Sequence, residues 1–137
     1  MLSQYLLPII VAAAVGALMG TRTDSAASRM FVIVCTGAAL LTIVSTEFYK
    51  VVNYPWLGDP GRLSAQVIVA LGFLGTGLIW VSENQEVKGL SVAASLWLTA
   101  ILGILIGTGL DLVSIVIIVF LVSAYLISGK IIKWDKK

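Results

Sequence analysis

Side chains able to do chemistry are scarce in this chain, and its acidic residues all lie at the edges of long apolar runs. The sequence has seven acidic residues, nine basic residues, a single cysteine and no histidine. Without histidine, a Ser-His-Asp triad, a Cys-His pair and a histidine metal site are excluded. Because Cys35 is alone, neither an intramolecular disulfide nor a cysteine metal cluster can form. We therefore expect a protein that is not an enzyme and that has no cofactor.

Three charged residues are predicted at one membrane face, which the orientation derived below makes the outer face. They form a candidate polar site: Asp59, Arg62 and Asp111. Asp59 precedes Pro60, which is typical of a helix start, since Asp accepts from free backbone donors and Pro fits the first helical position. Arg62 follows about one helical turn after Asp59 and could pair with it. Asp111 is the predicted cap of the last apolar run. Two interpretations stay open: helix caps with a surface ion pair, or a site for a cation or another ligand.

A second charged set is predicted on the opposite, inner face and consists of Arg22, Arg29, Glu83, Glu86 and Lys88. It is either a solvated rim or a docking surface for another membrane protein. No acidic residue lies in the middle of an apolar run, where it would be costly and would mark an ion path. This argues against a proton- or sodium-coupled pump.

Small residues recur at spacings that favour close helix packing. The predicted packing positions are Gly16, Gly20, Gly72, Gly75, Gly77, Gly89, Ala93, Trp97, Gly103 and Gly107. The glycine cluster from Gly72 to Gly77 lacks the order and the lysine of a phosphate-binding loop. It indicates either close packing or a locally unwound helix with carbonyls along a polar path. Trp97 is expected to pack in the core, with Ser95, Thr99 or Thr76 as partner of its indole N–H.

Composition places the chain in a bilayer. Hydrophobic residues make up 59% and charged residues 12% of it, and the mean hydropathy is +1.05. A soluble fold of this size could not cover its surface with so few charges. We expect an all-α polytopic bundle of five transmembrane helices forming a single domain over residues 1–137, with a helical hairpin over 63–110 at its centre. The expected spans are 4–21, 30–48, 63–82, 89–110 and 112–130.

The basic residues predict the orientation of these five spans. One side holds only two, Lys50 and Arg62, and the other holds seven: Arg22, Arg29, Lys88, Lys130, Lys133, Lys136 and Lys137. Since cytoplasmic loops carry the excess of Lys and Arg, the N-terminus is expected outside and the C-terminus in the cytoplasm.

An ordered series of motifs resembles the MgtC/SapB family over about residues 12–110. The matching segments are Gly58-Asp59-Pro60-x-Arg62, Ala65-Gln66, Gly72-Phe73-Leu74-Gly75-Thr76-Gly77, Lys88-Gly89-Leu90-x-x-Ala93-Ala94-x-x-Trp97, Ala100-x-x-Gly103 and Gly107-x-Gly109. Gly16-x-x-x-Gly20-x-Arg22, Arg29 and Gly37-Ala38-Ala39 resemble the first two spans of that family. The chain departs from the family at Thr21, where an acidic residue is usual, and at residues 26–30. The soluble C-terminal domain of longer members is not expected here.

The resemblance implies a five-span protein of the bacterial inner membrane. Longer members of the family are linked to growth in low magnesium, to survival inside host cells and to inhibition of the F-type ATP synthase, and some short members to acid resistance. Two functional hypotheses follow. The first is a regulator that binds another membrane protein, or a second copy in a homodimer, through small-residue faces. The second is a transporter or channel for Mg²⁺ or another cation. The expected surroundings are the lipid bilayer, without nucleic acid.

Overall fold

The computed structural model describes residues 2–52 and 59–134, and within them the chain forms five α-helices and one short β-hairpin. In chain order the elements are α1 (Leu2–Gly20), α2 (Ser25–Val52), α3 (Pro60–Thr76), β1 (Trp80–Val81), β2 (Val87–Lys88), α4 (Leu90–Thr108) and α5 (Leu112–Trp134). The predicted all-α helical bundle is confirmed.

Acidic residues start three of the helices. Asp24 caps α2 by accepting a hydrogen bond from the Ala27 N–H at 2.8 Å, so this helix begins before the predicted span. Arg29, which was expected in the preceding loop, therefore lies in the second turn of α2. The capping roles predicted for Asp59 and Asp111 are confirmed, since their carboxylates accept from backbone N–H groups at the starts of α3 and α5.

The third helix is shorter than predicted. A continuous span over 63–82 was expected, but α3 ends at Thr76, before two turns and the hairpin. Trp80 pairs with Lys88 and Val81 with Val87 in an antiparallel register. Thr76 and Gly77 are poor helix formers, and the following Ile79 and Val81 favour extended backbone. Hydropathy could not show this, because apolar residues continue through both the helix and the strand.

Helices α2 and α4 form the centre of the bundle. They run parallel, since Gly103 of α4 lies against Cys35 and Ala38, and Gly107 lies against Ala39 and Thr42 further along α2. Helix α1 runs antiparallel to α2, and α3 packs on both central helices. Helix α5 has the fewest contacts and covers the outside of α1 and α4. The starts of α2 and α4 consequently lie at one end of the bundle, and their ends at the other.

Three helices are long and apolar enough to cross a bilayer: residues 25–51, 90–108 and 112–129. Two shorter apolar helices cover residues 4–20 and 61–76. At 1.5 Å per residue, the 17 residues of α3 extend about 26 Å, slightly less than the roughly 30 Å hydrocarbon core of a bilayer. The architecture is that of a membrane-spanning helical bundle.

Candidate functional site

Glycines allow the closest helix contacts inside the bundle. A Cβ atom on Gly16 would lie 2.7 Å from the Phe31 carbonyl oxygen, and one on Gly20 would lie 2.8 Å from the Ser28 hydroxyl. A Cβ atom on Gly107 would lie 2.6 Å from the Ala39 carbonyl oxygen. At these positions a larger residue would push the helices apart, so the four-residue spacing of glycines in α1 and α4 serves packing within one chain.

The glycines of α3 are different. A Cβ atom on Gly72 would meet nothing within 4 Å, and one on Gly75 would make only an ordinary contact of 3.7 Å with the Ala93 side chain. Gly77 contacts only the preceding turn of its own helix. Close packing at Gly72 is therefore not found among residues 2–52 and 59–134. The helix remains regular up to Thr76, so the alternative of an unwound helix at Gly72 is also not found.

Two other predicted packing positions have different settings. Gly89 adopts a left-handed backbone with φ of 84° at the start of α4, and a Cβ there would collide with the Leu78 carbonyl oxygen. Its role is to turn the chain from the hairpin into the helix. Trp97 is 45% exposed, so the prediction that it packs in the core is wrong. Lipid accepts its indole ring as readily as a protein core does, and Leu96 and Ala100 fill the core face instead.

The inner charged set lies at the end where α2 and α4 begin. The guanidinium of Arg22 donates a hydrogen bond to the Leu126 carbonyl oxygen and so connects the first loop to α5. Arg29 and Glu83 are exposed. Glu86 and Lys88, two residues apart at the second strand of the hairpin, form an ion pair. Arg22 therefore has a structural contact, and the other four charges stay on an accessible rim.

In the predicted outer site the structure shows two helix caps and no ion pair among the described residues. Asp59 and Asp111 each cap their own helix, and among the described residues no ion pair joins Asp59 to Arg62. The Ser114 side chain and the Ser114 backbone N–H bond to Asp111 and hold its pKa below the ordinary value. The described part of the chain contains no group of three or more acidic or cysteine side chains able to hold a metal ion.

A polar pocket that was not predicted from the sequence lies at the end of the bundle where α2 and α4 end. It has a volume of about 160 Å³ and lies among the start of α1, the end of α2 and the end of α4. An ion pair of 2.7 Å between the Glu47 carboxylate and the Lys50 ammonium lies at its wall. The signal available in the sequence was this acid and base three residues apart at the end of an apolar run.

An apolar groove adjoins this polar pocket on the membrane-facing side of α1 and α2. It has a volume of about 510 Å³. Both cavities share Tyr5, Ile43 and Glu47 as lining residues, so they are direct neighbours. The remaining lining side chains of the groove are aliphatic or aromatic: Ile9, Leu40, Val44, Phe48 and Val51.

Comparison with known proteins adds to this geometry. The model of the MgtC family matches residues 6–134. An Escherichia coli (strain K12) protein with the name "Putative magnesium transporter YhiD" is 38% identical over 116 residues, which are 80% of this chain and 54% of that protein. Protein MgtC of Salmonella typhimurium (strain LT2) is 37% identical over 109 residues, or 77% of this chain and 44% of that protein. A Haemophilus influenzae protein is 30% identical over 135 residues, or 96% of this chain and 57% of that protein.

The chain thus spans about half the length of the curated relatives it matches. No solved structure is significantly similar to it. The family match covers nearly the whole bundle, from the first turns of α1 to the end of α5. This protein therefore belongs to the MgtC family.

Proposed function

We propose that this chain is a non-enzymatic membrane protein of magnesium homeostasis that acts by binding another membrane protein through α3. The link to magnesium rests on the family and on the name of the Escherichia coli relative. The mode of action rests on the surface that α3 presents to the bilayer.

One exposed face of α3 carries the proposal. Val69, Gly72, Phe73 and Thr76 follow one another at helical spacing, and all four are exposed. Val69 is 70% and Phe73 79% exposed. Glycines of α1 and α4 are each covered by a neighbouring helix, whereas Gly72 lies open. A partner helix resting on Gly72 would approach as closely as the helices inside the bundle do.

A polar amide on the same face supports a protein partner over lipid alone. Gln66 lies seven residues, about two helical turns, before Phe73 and is exposed. Within the described residues the structure shows no hydrogen bond to its side chain. An amide that faces hydrocarbon without a partner is unfavourable, and helix–helix contacts in membranes commonly satisfy such groups. This favours a partner that brings its own polar group to α3.

The proposal also covers the identity of the partner and the location and orientation of this protein. A second copy of the chain and another membrane protein, such as the F-type ATP synthase suggested by the family resemblance, are the two candidates. We place the protein in the bacterial inner membrane with its N-terminus outside and its C-terminus in the cytoplasm. This orientation follows from the excess of basic residues on the inner side.

A cation transporter is the second candidate, favoured by the relative's name and by the Glu47 carboxylate in the polar pocket. Two observations speak against a cation at that site. The Lys50 ammonium already forms an ion pair with the Glu47 carboxylate at 2.7 Å and would repel a divalent ion. The described apolar spans also carry no acidic residue near their centres to continue a path.

Site-specific photocrosslinking in membranes tests the proposal. A photoreactive residue at Phe73 should give one discrete adduct with a membrane protein or a second copy. The same residue at Phe120, which is 67% exposed on α5, should give none. Gly72→Leu should abolish the adduct, whereas Gly37→Leu, at another uncovered helical glycine, should leave it intact. Equal adducts from Phe73 and Phe120, or an adduct unaffected by Gly72→Leu, would contradict binding through α3.

Flux measurements distinguish the second candidate. Purified chain in proteoliposomes should show no Mg²⁺ flux above that of empty liposomes if it acts through protein contacts. Saturable Mg²⁺ flux that falls in Glu47→Gln and not in Glu86→Gln would instead make transport the function and place its path at the polar pocket.

A further inference from the structure

The polar pocket and the apolar groove adjoin, and together they give the surface a charged side and a hydrocarbon-like side. The Glu47 carboxylate and the Tyr5 ring line both cavities. On α2 the pocket is lined by residues 43–50 and the groove by residues 40–51, so the two lie side by side, and on the side of the bilayer centre the groove reaches about one turn deeper, to Leu40. A ligand that fits both parts must itself have a polar head and an apolar tail.

Besides the donors of Gln4, Tyr5 and Lys50, the polar pocket offers several hydrogen-bond acceptors. The hydroxyl groups of Thr46 and Thr108 donate their protons to carbonyl oxygens of their own helices. Pro8 has no N–H, so the Gln4 carbonyl oxygen lacks its α-helical donor, and both residues line the pocket. The C-terminal end of α4 is also here, where carbonyl groups lack helical partners and carry partial negative charge. These groups favour a ligand that donates several hydrogen bonds.

The ion pair restricts the charge of that ligand. An anion alone would face the Glu47 carboxylate, and a cation alone would face the Lys50 ammonium 2.7 Å away. A zwitterion avoids both conflicts, with its cationic group on Glu47 and its anionic group on Lys50. Side chains of both residues are accessible, at 37% for Glu47 and 63% for Lys50, so they can accept these contacts.

The groove extends along α2 on both sides of Glu47. Its lining residues on this helix run from Leu40 to Val51, a rise of about 17 Å, of which about 10 Å, from Leu40 to Glu47, lies on the side of the bilayer centre. Its volume of about 510 Å³ lies within the range of roughly 300–1,000 Å³ that is usual for small-ligand sites. The part from Leu40 to Glu47 can hold the first carbons of an acyl chain of a lipid whose head group lies at Glu47.

From these observations we propose that the groove between α1 and α2 binds one phospholipid with a primary-ammonium head group, of the phosphatidylethanolamine type. The ammonium group contacts Glu47 and the acceptor groups of the polar pocket, the phosphate contacts Lys50, and an acyl chain lies against Val44 and Leu40. Phosphatidylcholine has the same charges, but its trimethylammonium group cannot donate hydrogen bonds and so fits the acceptor-rich pocket less well. No residue of α3 lines this site, so it does not depend on the proposal for α3.

Native mass spectrometry of the purified chain tests this site. The chain is released from nanodiscs that contain equal amounts of phosphatidylethanolamine, phosphatidylcholine and phosphatidylglycerol with identical acyl chains. We expect one retained phosphatidylethanolamine, enriched about fivefold or more over phosphatidylcholine, because a charge-assisted hydrogen bond distinguishes the two head groups. Glu47→Gln should remove this preference, and Val44→Trp should remove the retained lipid altogether by filling the groove.

Matched control variants keep the test specific. Glu86→Gln breaks the corresponding ion pair at the other end of the bundle. Ile33→Trp enlarges a 70% exposed residue three turns earlier on nearly the same face of α2, outside the groove. Both controls should retain lipid as the wild type does. Equal retention of the three lipids by the wild type would overturn the proposal, as would equal losses in Val44→Trp and Ile33→Trp, or a second copy of the chain displaced by Val44→Trp in place of lipid.

Discussion

Replacing Gly103 with alanine should separate the two central helices. A Cβ atom at Gly103 would collide with the Cys35 carbonyl oxygen and lie 2.9 Å from the Ala38 Cβ. Moving that pair to a normal separation of about 3.7 Å requires a shift of about 0.8 Å, enough to forfeit a quarter to a half of the dispersion energy of neighbouring contacts. Leu102 and Ile106, both fully buried, would lose such contacts. We expect Gly103→Ala to lower the free energy of unfolding by about 1–3 kcal/mol.

The measurement is equilibrium unfolding in mixed micelles of a mild detergent and dodecyl sulfate, followed by far-UV circular dichroism. Gly37→Ala is the matched control, because a Cβ at Gly37 meets nothing within 4 Å although this glycine is also inside a helix. Alanine has the higher helix propensity, so this control should be neutral or stabilise the protein by up to about 1 kcal/mol. If Gly103→Ala unfolds at the same point as Gly37→Ala, the reasoning from close contact of α2 and α4 is refuted.

Three further perturbations have defined outcomes. Gly89→Ala should destabilise the protein through the left-handed backbone alone by about 1–2 kcal/mol, measured by the same unfolding assay. Arg22→Gln should weaken the attachment of α5 by removing the guanidinium contact with the Leu126 carbonyl, seen as faster hydrogen exchange at the end of α5. The stability difference between wild type and Asp111→Ala should be present above pH 3.8, the ordinary value for Asp, and should vanish as the pH falls through the lowered pKa of Asp111.

Each of these has a contradicting result. Unchanged stability in Gly89→Ala would show that the turn can relax to an ordinary backbone. Exchange at the end of α5 that stays protected in Arg22→Gln would mean that apolar packing alone holds this helix. For Asp111, the unfolded state binds the proton at higher pH than the folded state, so stability must fall with acidification. An Asp111→Ala difference that is constant from pH 7 to below the folded pKa would exclude the capping carboxylate as its cause.

Local features of the fold follow from short stretches of sequence. Asp59 before Pro60 and Asp111 before an apolar run start helices because their carboxylates satisfy nearby backbone N–H groups, which needs no distant residue. Asp24 before Ser25 carries the same signal and locates the start of α2. The end of α3 was harder to predict, because apolar residues continue beyond Thr76 and only their β-branched character marks the hairpin.

The polar pocket could not be predicted in this way. Its walls come from three segments that are distant in the chain, residues 4–8, 43–50 and 107–109. Glu47 and Lys50 resemble an ordinary surface pair until α1 and α4 are placed beside them. Such a site exists only once the helices are assembled.

The sequence by itself determined that this is an all-α membrane protein of the MgtC family, since composition, apolar runs and ordered motifs can be recognised without knowledge of packing. It did not determine which small residues face a neighbour. Gly72 and Gly103 lie in similar surroundings in the sequence, yet one is open and the other lies against α2. The physical reason is that lipid and protein interior are equally apolar, so hydropathy does not indicate which face of a membrane helix is buried in the protein. Only the tertiary structure decided that question, and with it the positions of the open face of α3 and of the groove between α1 and α2.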